Sequence, residues 1–266
     1  ANASIPDFAI INSLINYSEN LFFITTYNYG LIRLVKKKTF FNTVRSDKSE
    51  ANHLYNKSIR SILPLNDSLV LIGGYNAFEM FNRKANKTQL ISYNTDAKFG
   101  KSVGVAHSLI QNPFNSSEII VGTEGNGMFV YDWHKKEIHL FSDEAQKHHK
   151  FIRNFALISN RYLITNYSFY LIVYDLKTKS IAKIPSDNLS QINNVDVIFA
   201  DSDDNLWIAQ KKGTLSRLDN TFEIIEQIQV LDSLSTVSNA INSILRTNDN
   251  TLFLGTNLGF IRYSKN

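Results

Sequence analysis

The chain has 266 residues, of which 43% are hydrophobic and 12% aromatic, so it is long enough to bury a sizeable core. Its net charge of +4 is mild, and its densest basic run, Lys36-Lys37-Lys38, is accompanied by no motif of nucleic-acid recognition. Cysteine is absent, which excludes disulfides and thiolate chemistry. No apolar run reaches the roughly 18 residues of a membrane span. We therefore expect no nucleic-acid partner and no membrane crossing within this sequence.

The first predicted elements set a pattern that the rest of the chain repeats. Residues 11–34 contain three short apolar runs, INSLI, LFFITT and GLIRL, separated by polar turns, which predicts an antiparallel meander of three strands. The same pattern returns at residues 59–81, 106–131, 152–174, 195–219 and 241–263. A fourth, outer strand is predicted after each of the first five meanders, at residues 38–44, 87–93, 137–142, 180–184 and 222–230.

The period of this repeat indicates the fold. Equivalent positions in the six first strands are spaced by 48, 47, 46, 43 and 46 residues, at Ser13, Ser61, Ser108, Asn154, Val197 and Ser243. A period of about 40–50 residues with several short strands is typical of a β-propeller. A β-sandwich also has many short strands, but it would not repeat one pattern six times. The sequence therefore predicts an all-β protein, a β-propeller of about six four-stranded blades in one domain.

The predicted repeats cover the chain from end to end. They span approximately residues 9–57, 58–104, 105–150, 151–193, 194–239 and 240–266. The sixth repeat lacks a fourth strand, and residues 1–8 could complete the last blade, which would close the ring and remove exposed strand edges. The alternative is that the chain is a fragment of a seven-bladed propeller.

The strand sequences also resemble a known family. The runs INSIL, LFLGT and GFIRY of the last repeat resemble the two-component regulator propeller repeat, which builds the periplasmic sensor half of Bacteroides-type hybrid two-component systems. Gly122-Thr123 and Gly255-Thr256 keep the Gly-Thr of that repeat, whereas blade four has Thr165-Asn166, and Trp207 alone keeps the tryptophan. The resemblance implies a non-enzymatic sensor with periplasmic localisation. The membrane span and any kinase would lie outside this sequence.

Motifs of catalysis and metal binding are weak. The chain contains neither G-x-S-x-G nor H-E-x-x-H, and its one histidine pair, His148-His149, lies in a lysine-rich loop. Residues 201–205 have the alternating oxygens of a calcium loop without its later glycine and glutamate, and we predict a hairpin turn instead. The glycine-rich residues 122–127 lie between two strands, which predicts a tight hairpin rather than a phosphate site. We predict no catalytic residues, metal or cofactor.

Two sets of polar positions remain as a candidate site. The second residue of every first strand is polar, and these residues should form a ring at one end of the innermost strands: Asn12, Arg60, His107, Arg153, Asp196 and Asn242. On the same face, the turns between second and third strands hold aromatic and amide side chains, which suit the C–H faces and hydroxyls of sugars. The candidate ligand-binding residues are Tyr27, Tyr29, Arg60, Tyr75, Asn76, His107, Glu124, Asn126, Arg153, Tyr167, Phe169, Lys211, Lys212 and Asn257.

Structural roles could also explain both sets of positions. The polar ring could satisfy buried backbone groups and water, and the aromatic rings could pack over blade junctions. The leading functional hypothesis is an extracytoplasmic sensor for an oligosaccharide, whose partners are other domains of the same receptor and a second copy in a homodimer. The alternatives are a propeller polysaccharide lyase or hydrolase, with His107 as its base, and a protein-interaction scaffold. Trp207 is expected to be buried between blades with its equivalents Phe23, Leu71, Ile120, Leu163 and Phe253.

Overall fold

Short apolar runs bounded by turn residues form 22 strands in the part of the chain that the structure, a computed structural model, describes. That part comprises residues 11–18, 21–26, 30–35, 44, 46, 53–93, 105–148, 150–167, 170–182, 189, 192–230, 241–247, 251–256 and 259–264. The chain divides into two compact units, Ala1–Val44 and Arg45–Asn266. The prediction that a single domain includes both units stays a prediction.

The first unit contains one antiparallel sheet, blade one. Its strands are β1 (Ile11–Ser18), β2 (Leu21–Thr26) and β3 (Gly30–Val35), paired in chain order. The predicted fourth strand at residues 38–44 lies outside the described residues except for Val44, which is not in a strand.

The second unit contains five antiparallel sheets, blades two to six, each a meander in chain order. Blade two comprises β4 (Ile59–Pro64), β5 (Leu69–Gly74), β6 (Ala77–Asn82) and β7 (Lys87–Tyr93). Blade three comprises β8 (Val105–Gln111), β9 (Glu118–Glu124), β10 (Met128–Asp132) and β11 (Glu137–Leu140). Blade four comprises β12 (Phe155–Ile158), β13 (Tyr162–Tyr167), β14 (Tyr170–Asp175) and β15 (Ser180–Ile181).

Blades five and six complete the second unit. Blade five comprises β16 (Val195–Ala200), β17 (Leu206–Gln210), β18 (Thr214–Leu218) and β19 (Ile224–Gln229). Blade six comprises β20 (Ile241–Arg246), β21 (Leu252–Thr256) and β22 (Gly259–Tyr263). A short helix, α1 (Asp143–His148), follows β11. No helical segment in the described ranges is long and apolar enough to span a membrane.

Four hydrophobic clusters hold the second unit together, and each joins two consecutive blades. Leu71 and Phe78 of blade two pack with Ile119 and Phe129 of blade three, and the same arrangement recurs between blades three and four, four and five, and five and six. The middle sheets therefore bury both faces, as propeller blades do and the sheets of a sandwich do not. The predicted all-β propeller class is confirmed.

The blades differ from the prediction in their outer strands. Four sheets have four strands, whereas blades one and six have three among the described residues. Strand β7 matches its predicted range, but β11, β15 and β19 are shorter than predicted. After β11 the chain turns into α1, where the Ser142 hydroxyl accepts a hydrogen bond from the Ala145 amide. Residues 1–8, the expected fourth strand of blade six, lie outside the described residues, so ring closure stays a prediction.

The layer of residues around Trp207 lies mostly in the blade junctions. Leu71, Ile120, Leu163 and Trp207 are at most 3% exposed, which confirms their predicted burial. Phe253 is only partly buried, so the prediction was wrong there, because β21 belongs to the last blade of this unit. The side chain of Phe23 lies outside the described residues.

Candidate functional site

A β-bulge lies at the start of the first strand in five of the six blades. The pairing of first and second strands skips one residue in blades one, two, three, five and six. The skipped residues are Asn12, Arg60, His107, Asp196 and Asn242. A bulge leaves its extra residue unpaired and turns its side chain away from the regular alternation. In blade four, β12 begins at Phe155, so Arg153 precedes the strand instead of being its second residue.

A serine over a glycine follows the bulge in three blades. Ser61, Ser108 and Ser243 pair directly with glycines of the neighbouring second strand. At Gly73, an added Cβ would overlap the Ser61 hydroxyl and lie 2.6 Å from the carbonyl oxygen of Ala106 in the next blade. The same Ser61 hydroxyl donates a hydrogen bond of 3.0 Å to that carbonyl. The repeated serine and glycine therefore allow the innermost strands to approach each other closely.

The second-to-third turns lie beside the bulges, because each second strand ends opposite the start of the first. Ile59 pairs with Gly74 beside the bulge at Arg60, and Val105 pairs with Glu124 close to the bulge at His107. We call the side of the second unit that carries these turns the turn face. The predicted proximity of polar ring and turns is therefore present in blades two and three.

On the turn face, blade two places an arginine side chain over an aromatic ring. The guanidinium carbon of Arg60 lies 4.4 Å from the centroid of the Tyr75 ring, a cation–π contact, and Tyr75 is 43% exposed. Among the described residues, no carboxylate forms an ion pair with Arg60. The side-chain oxygen of Asn76 accepts a hydrogen bond of 3.4 Å from the Lys57 amide and so helps to fix this turn.

Blades three and four contribute a histidine, a glutamate and a second arginine. One carboxylate oxygen of Glu124 lies 3.9 Å from Nε2 of His107, and the other lies 3.5 Å from the guanidinium of Arg153. Burial lowers the pKa of His107, and the charges of Arg60 and Arg153 lower it further. The carboxylate of Glu124 and a hydrogen bond with the Arg153 backbone oppose this shift without reversing it. We call Arg60, Tyr75, His107, Glu124 and Arg153 the blade-end cluster.

The glycine-rich turn of blade three is a closed hairpin. The amides of Gly125 and Gly127 both donate to the carbonyl oxygen of Lys150, at 2.8 and 3.0 Å, so the chain itself uses donors that a phosphate would need. The amide of Asn126 donates to the Thr123 hydroxyl at 3.3 Å. The prediction of a tight hairpin is confirmed.

Blade five places an acidic residue at its bulge. Burial raises the pKa of Asp196, and the positive charge of Lys211 opposes that shift. The Oδ2 atom of Asp196 is buried and has no hydrogen-bond partner among the described residues. Its backbone carbonyl accepts a hydrogen bond of 3.4 Å from the side chain of Asn154, which connects blades four and five.

The described part of the structure does not include six of the predicted site residues or their side chains. Tyr27, Tyr29, Phe169 and Asn257 lie outside the described residues, as do the side chains of Tyr167 and Lys212. Two aromatic residues that the sequence reasoning missed lie on the turn face: Phe151, which bridges to Glu124 and is 45% exposed, and Tyr170, which is 62% exposed. Their position, in the segment that leads to a first strand and directly after a second-to-third turn, was the available signal.

The turn at residues 201–205 lies at the opposite ends of the strands and needs no ion. One carboxylate oxygen of Asp201 accepts hydrogen bonds from the amides of Asp203 and Asn205, and the other accepts one from Trp207. Arg246 of blade six pairs with Asp201 at 2.8 Å and with Asp203 at 2.6 Å. The predicted hairpin turn is confirmed, and no group of three potential metal ligands occurs in the described ranges.

The chain is similar to several solved structures of Bacteroides thetaiotaomicron. The extracellular domain assigned to hybrid two-component system BT3049 superposes with a TM-score of 0.61 at 14% identity, over 95% of this chain and 34% of that one. The extracellular domain assigned to hybrid two-component system BT4673 superposes with a TM-score of 0.67 at 17% identity, over 97% of this chain and 36% of that one. A structural genomics protein of unknown function superposes with a TM-score of 0.58 at 11% identity, over 95% of this chain and 82% of that one.

These similarities concern the fold. The chain spans about a third of the length of the two extracellular domains. No protein-family model matches the chain, and no curated protein matches it. The resemblance to the propellers of Bacteroides hybrid two-component systems, inferred from the strand sequences, is confirmed at the level of structure.

Proposed function

We propose that this chain is the ligand-sensing, extracytoplasmic propeller of a hybrid two-component regulator and that it binds an oligosaccharide on the turn face. The observation that carries the proposal is the blade-end cluster, in which an exposed tyrosine, two arginines, a glutamate and a histidine meet at the ends of three consecutive blades. The similarity to extracellular domains assigned to such systems supports the signalling role and the periplasmic localisation.

The chemistry of the cluster suits a sugar. The partly exposed ring of Tyr75 offers an apolar surface for the C–H face of a pyranose. Arg60 and Arg153 offer hydrogen-bond donors for hydroxyl groups. Arg60 belongs to strand β4 and Arg153 follows the buried Ile152, so both backbone positions are fixed before a ligand arrives, which reduces the entropic cost of binding.

Substitution of Tyr75 tests the location of the site. We expect Tyr75→Ala to weaken binding of a cognate oligosaccharide about five- to thirtyfold, as the loss of one stacking contact of roughly 1–2 kcal/mol requires. Calorimetric titration of a panel of plant and host glycan fragments would measure it. Asp67→Ala is the matched control, because Asp67 is exposed in the first-to-second turn of blade two, at the other end of the strands.

The outcomes separate this proposal from its competitors. Weaker binding by the tyrosine variant with an unchanged control supports the site, and the reverse pattern places the site elsewhere. If no glycan binds the chain, the sensor proposal is wrong for the isolated chain.

A polysaccharide lyase is the second candidate, because the pKa of His107 is lowered and a neutral imidazole next to two arginines could abstract a proton beside a uronate carboxylate. Incubation with polyuronates separates the two functions. An ultraviolet-absorbing unsaturated product that disappears in His107→Ala would favour the lyase, whereas saturable binding without turnover favours the sensor.

A further inference from the structure

We propose that the blade-end cluster recognises the anionic group of an acidic saccharide, and that Glu124 occupies the position of that group in the free protein. This inference rests on the proposed function and adds to it the charge class of the ligand. The carboxylate of Glu124 is thus an internal competitor that a carboxylate or sulfate of the ligand displaces.

The first argument is the balance of charge. The cluster contains two guanidinium groups and one carboxylate, and His107 is largely neutral near pH 7 because its pKa is lowered. The cluster therefore carries one positive charge in excess. Arg60 pairs with an aromatic ring rather than with an acid in the described part of the chain. A guanidinium above an aromatic ring can still donate its N–H groups at its edge, where a sugar stacked nearby could present an anion.

The second argument is the weakness of the contacts that Glu124 makes. Its carboxylate lies 3.5 Å from Arg153 and 3.9 Å from His107, longer than good charge-assisted hydrogen bonds. The side chain of Arg153 is 59% exposed, so a ligand can reach it from solvent. An ion pair with this geometry and exposure contributes little to stability and is easily exchanged. By contrast, the backbone of Glu124 is fixed by its bridge to Phe151, so only the side chain has to move.

The third argument is geometric convergence across blades. Arg60 belongs to blade two, His107 and Glu124 to blade three, and Arg153 to the segment before blade four. The charges of both arginines act on His107, so both guanidinium groups lie near the imidazole. An anion in the position of the Glu124 carboxylate would therefore lie within the field of both arginines, and two cations around one oxyanion favour a ligand that carries a formal charge.

Binding assays with three saccharides of equal length test the inference: trigalacturonate, a 6-sulfated galactotriose and neutral galactotriose. Glu124→Gln removes the internal competitor's charge and should tighten binding of the charged probes about three- to fivefold, the range expected for an exposed ion pair. Binding of the neutral probe should stay within about twofold. Arg153→Gln should weaken binding of the charged probes about tenfold. The two charged probes show whether carboxylate or sulfate is preferred.

Glu137→Gln is the matched control, because Glu137 is an exposed residue on the outer strand of the same blade and loses the same charge. If Glu124→Gln and Glu137→Gln tighten binding of the charged probes equally, the effect comes from long-range charge alone, and the inference is overturned. Weaker binding of all three probes by Glu124→Gln would overturn it too, since Glu124 would then hold the sugar itself. Neutral saccharide binding without acidic binding would refute the inference and leave the proposed function intact. Absence of any saccharide binding would refute both.

A measurement without ligand checks the contact itself. The carboxylate of Glu124 raises the pKa of His107, so Glu124→Gln should lower the pKa of His107 in an NMR titration, and Glu137→Gln should leave it unchanged. An unchanged His107 titration in Glu124→Gln would show that the carboxylate does not occupy the cluster.

Discussion

Truncation of Trp207 tests how the blades are held together. The indole is 3% exposed and lies in the junction of blades five and six, packed with Val197, Leu215 and Leu254. Its Nε1 donates a hydrogen bond of 2.8 Å to the Asp201 carboxylate. Trp207→Ala therefore removes a large buried side chain and one donor to a buried acid.

The expected decrease in the free energy of unfolding follows from these two losses. Truncation of a buried aromatic side chain costs about 3–5 kcal/mol. Loss of the indole donor adds about 0.5–1.5 kcal/mol, because Asp201 keeps its hydrogen bonds with Asn205 and its ion pair with Arg246. We therefore expect a decrease in the free energy of unfolding of about 3.5–6.5 kcal/mol. Trp207→Phe keeps most of the packing and should cost about 1–3 kcal/mol.

Reversible denaturant unfolding followed by circular dichroism would measure both variants, with the slope compared to detect a change in the extent of unfolding. A loss below about 1 kcal/mol for Trp207→Ala would contradict the burial of the indole between two blades. Equal losses for the alanine and phenylalanine variants would show that the hydrogen bond, and not the packing, dominates.

Two further predictions concern the innermost strands. Gly255→Ala should destabilise the protein by about 1–3 kcal/mol, because the new Cβ overlaps the Ser243 hydroxyl. The double variant with Ser243→Ala should recover most of this loss in a denaturant-unfolding cycle, since the next atom of the described residues is the Ser243 Cβ, at 3.7 Å. The pKa of His107 is lower in the folded than in the unfolded state, so its contribution to stability is complete above its ordinary value of 6.5 and is lost as the pH falls below it. His107→Gln should therefore reduce the decrease in melting temperature between about pH 7 and pH 5, and an unchanged decrease would contradict the burial of the imidazole.

Periodicity and turn chemistry determined much of the fold. The apolar runs, their spacing of about 46 residues and the polar turns between them were sufficient to predict the meanders and the propeller class, because strand formation and burial of both faces depend on patterns along one segment. The same reasoning placed Trp207 in the core and excluded a phosphate site at residues 122–127. It also identified Arg60, His107 and Arg153 as polar side chains at equivalent positions and placed Tyr75 and Glu124 in turns on the same face.

Only the tertiary structure decided how those side chains meet. The bulges at Arg60 and His107 depend on the register between paired strands, and the approach of Glu124 to Arg153 depends on the angle between neighbouring blades. Neither quantity is encoded in the period of a single repeat. The ion pairs of Arg246 with the Asp201 turn are of the same kind, since they join residues about one repeat apart. The sequence by itself thus determined which residues stand at the strand ends, whereas packing between blades determined which charges face each other there.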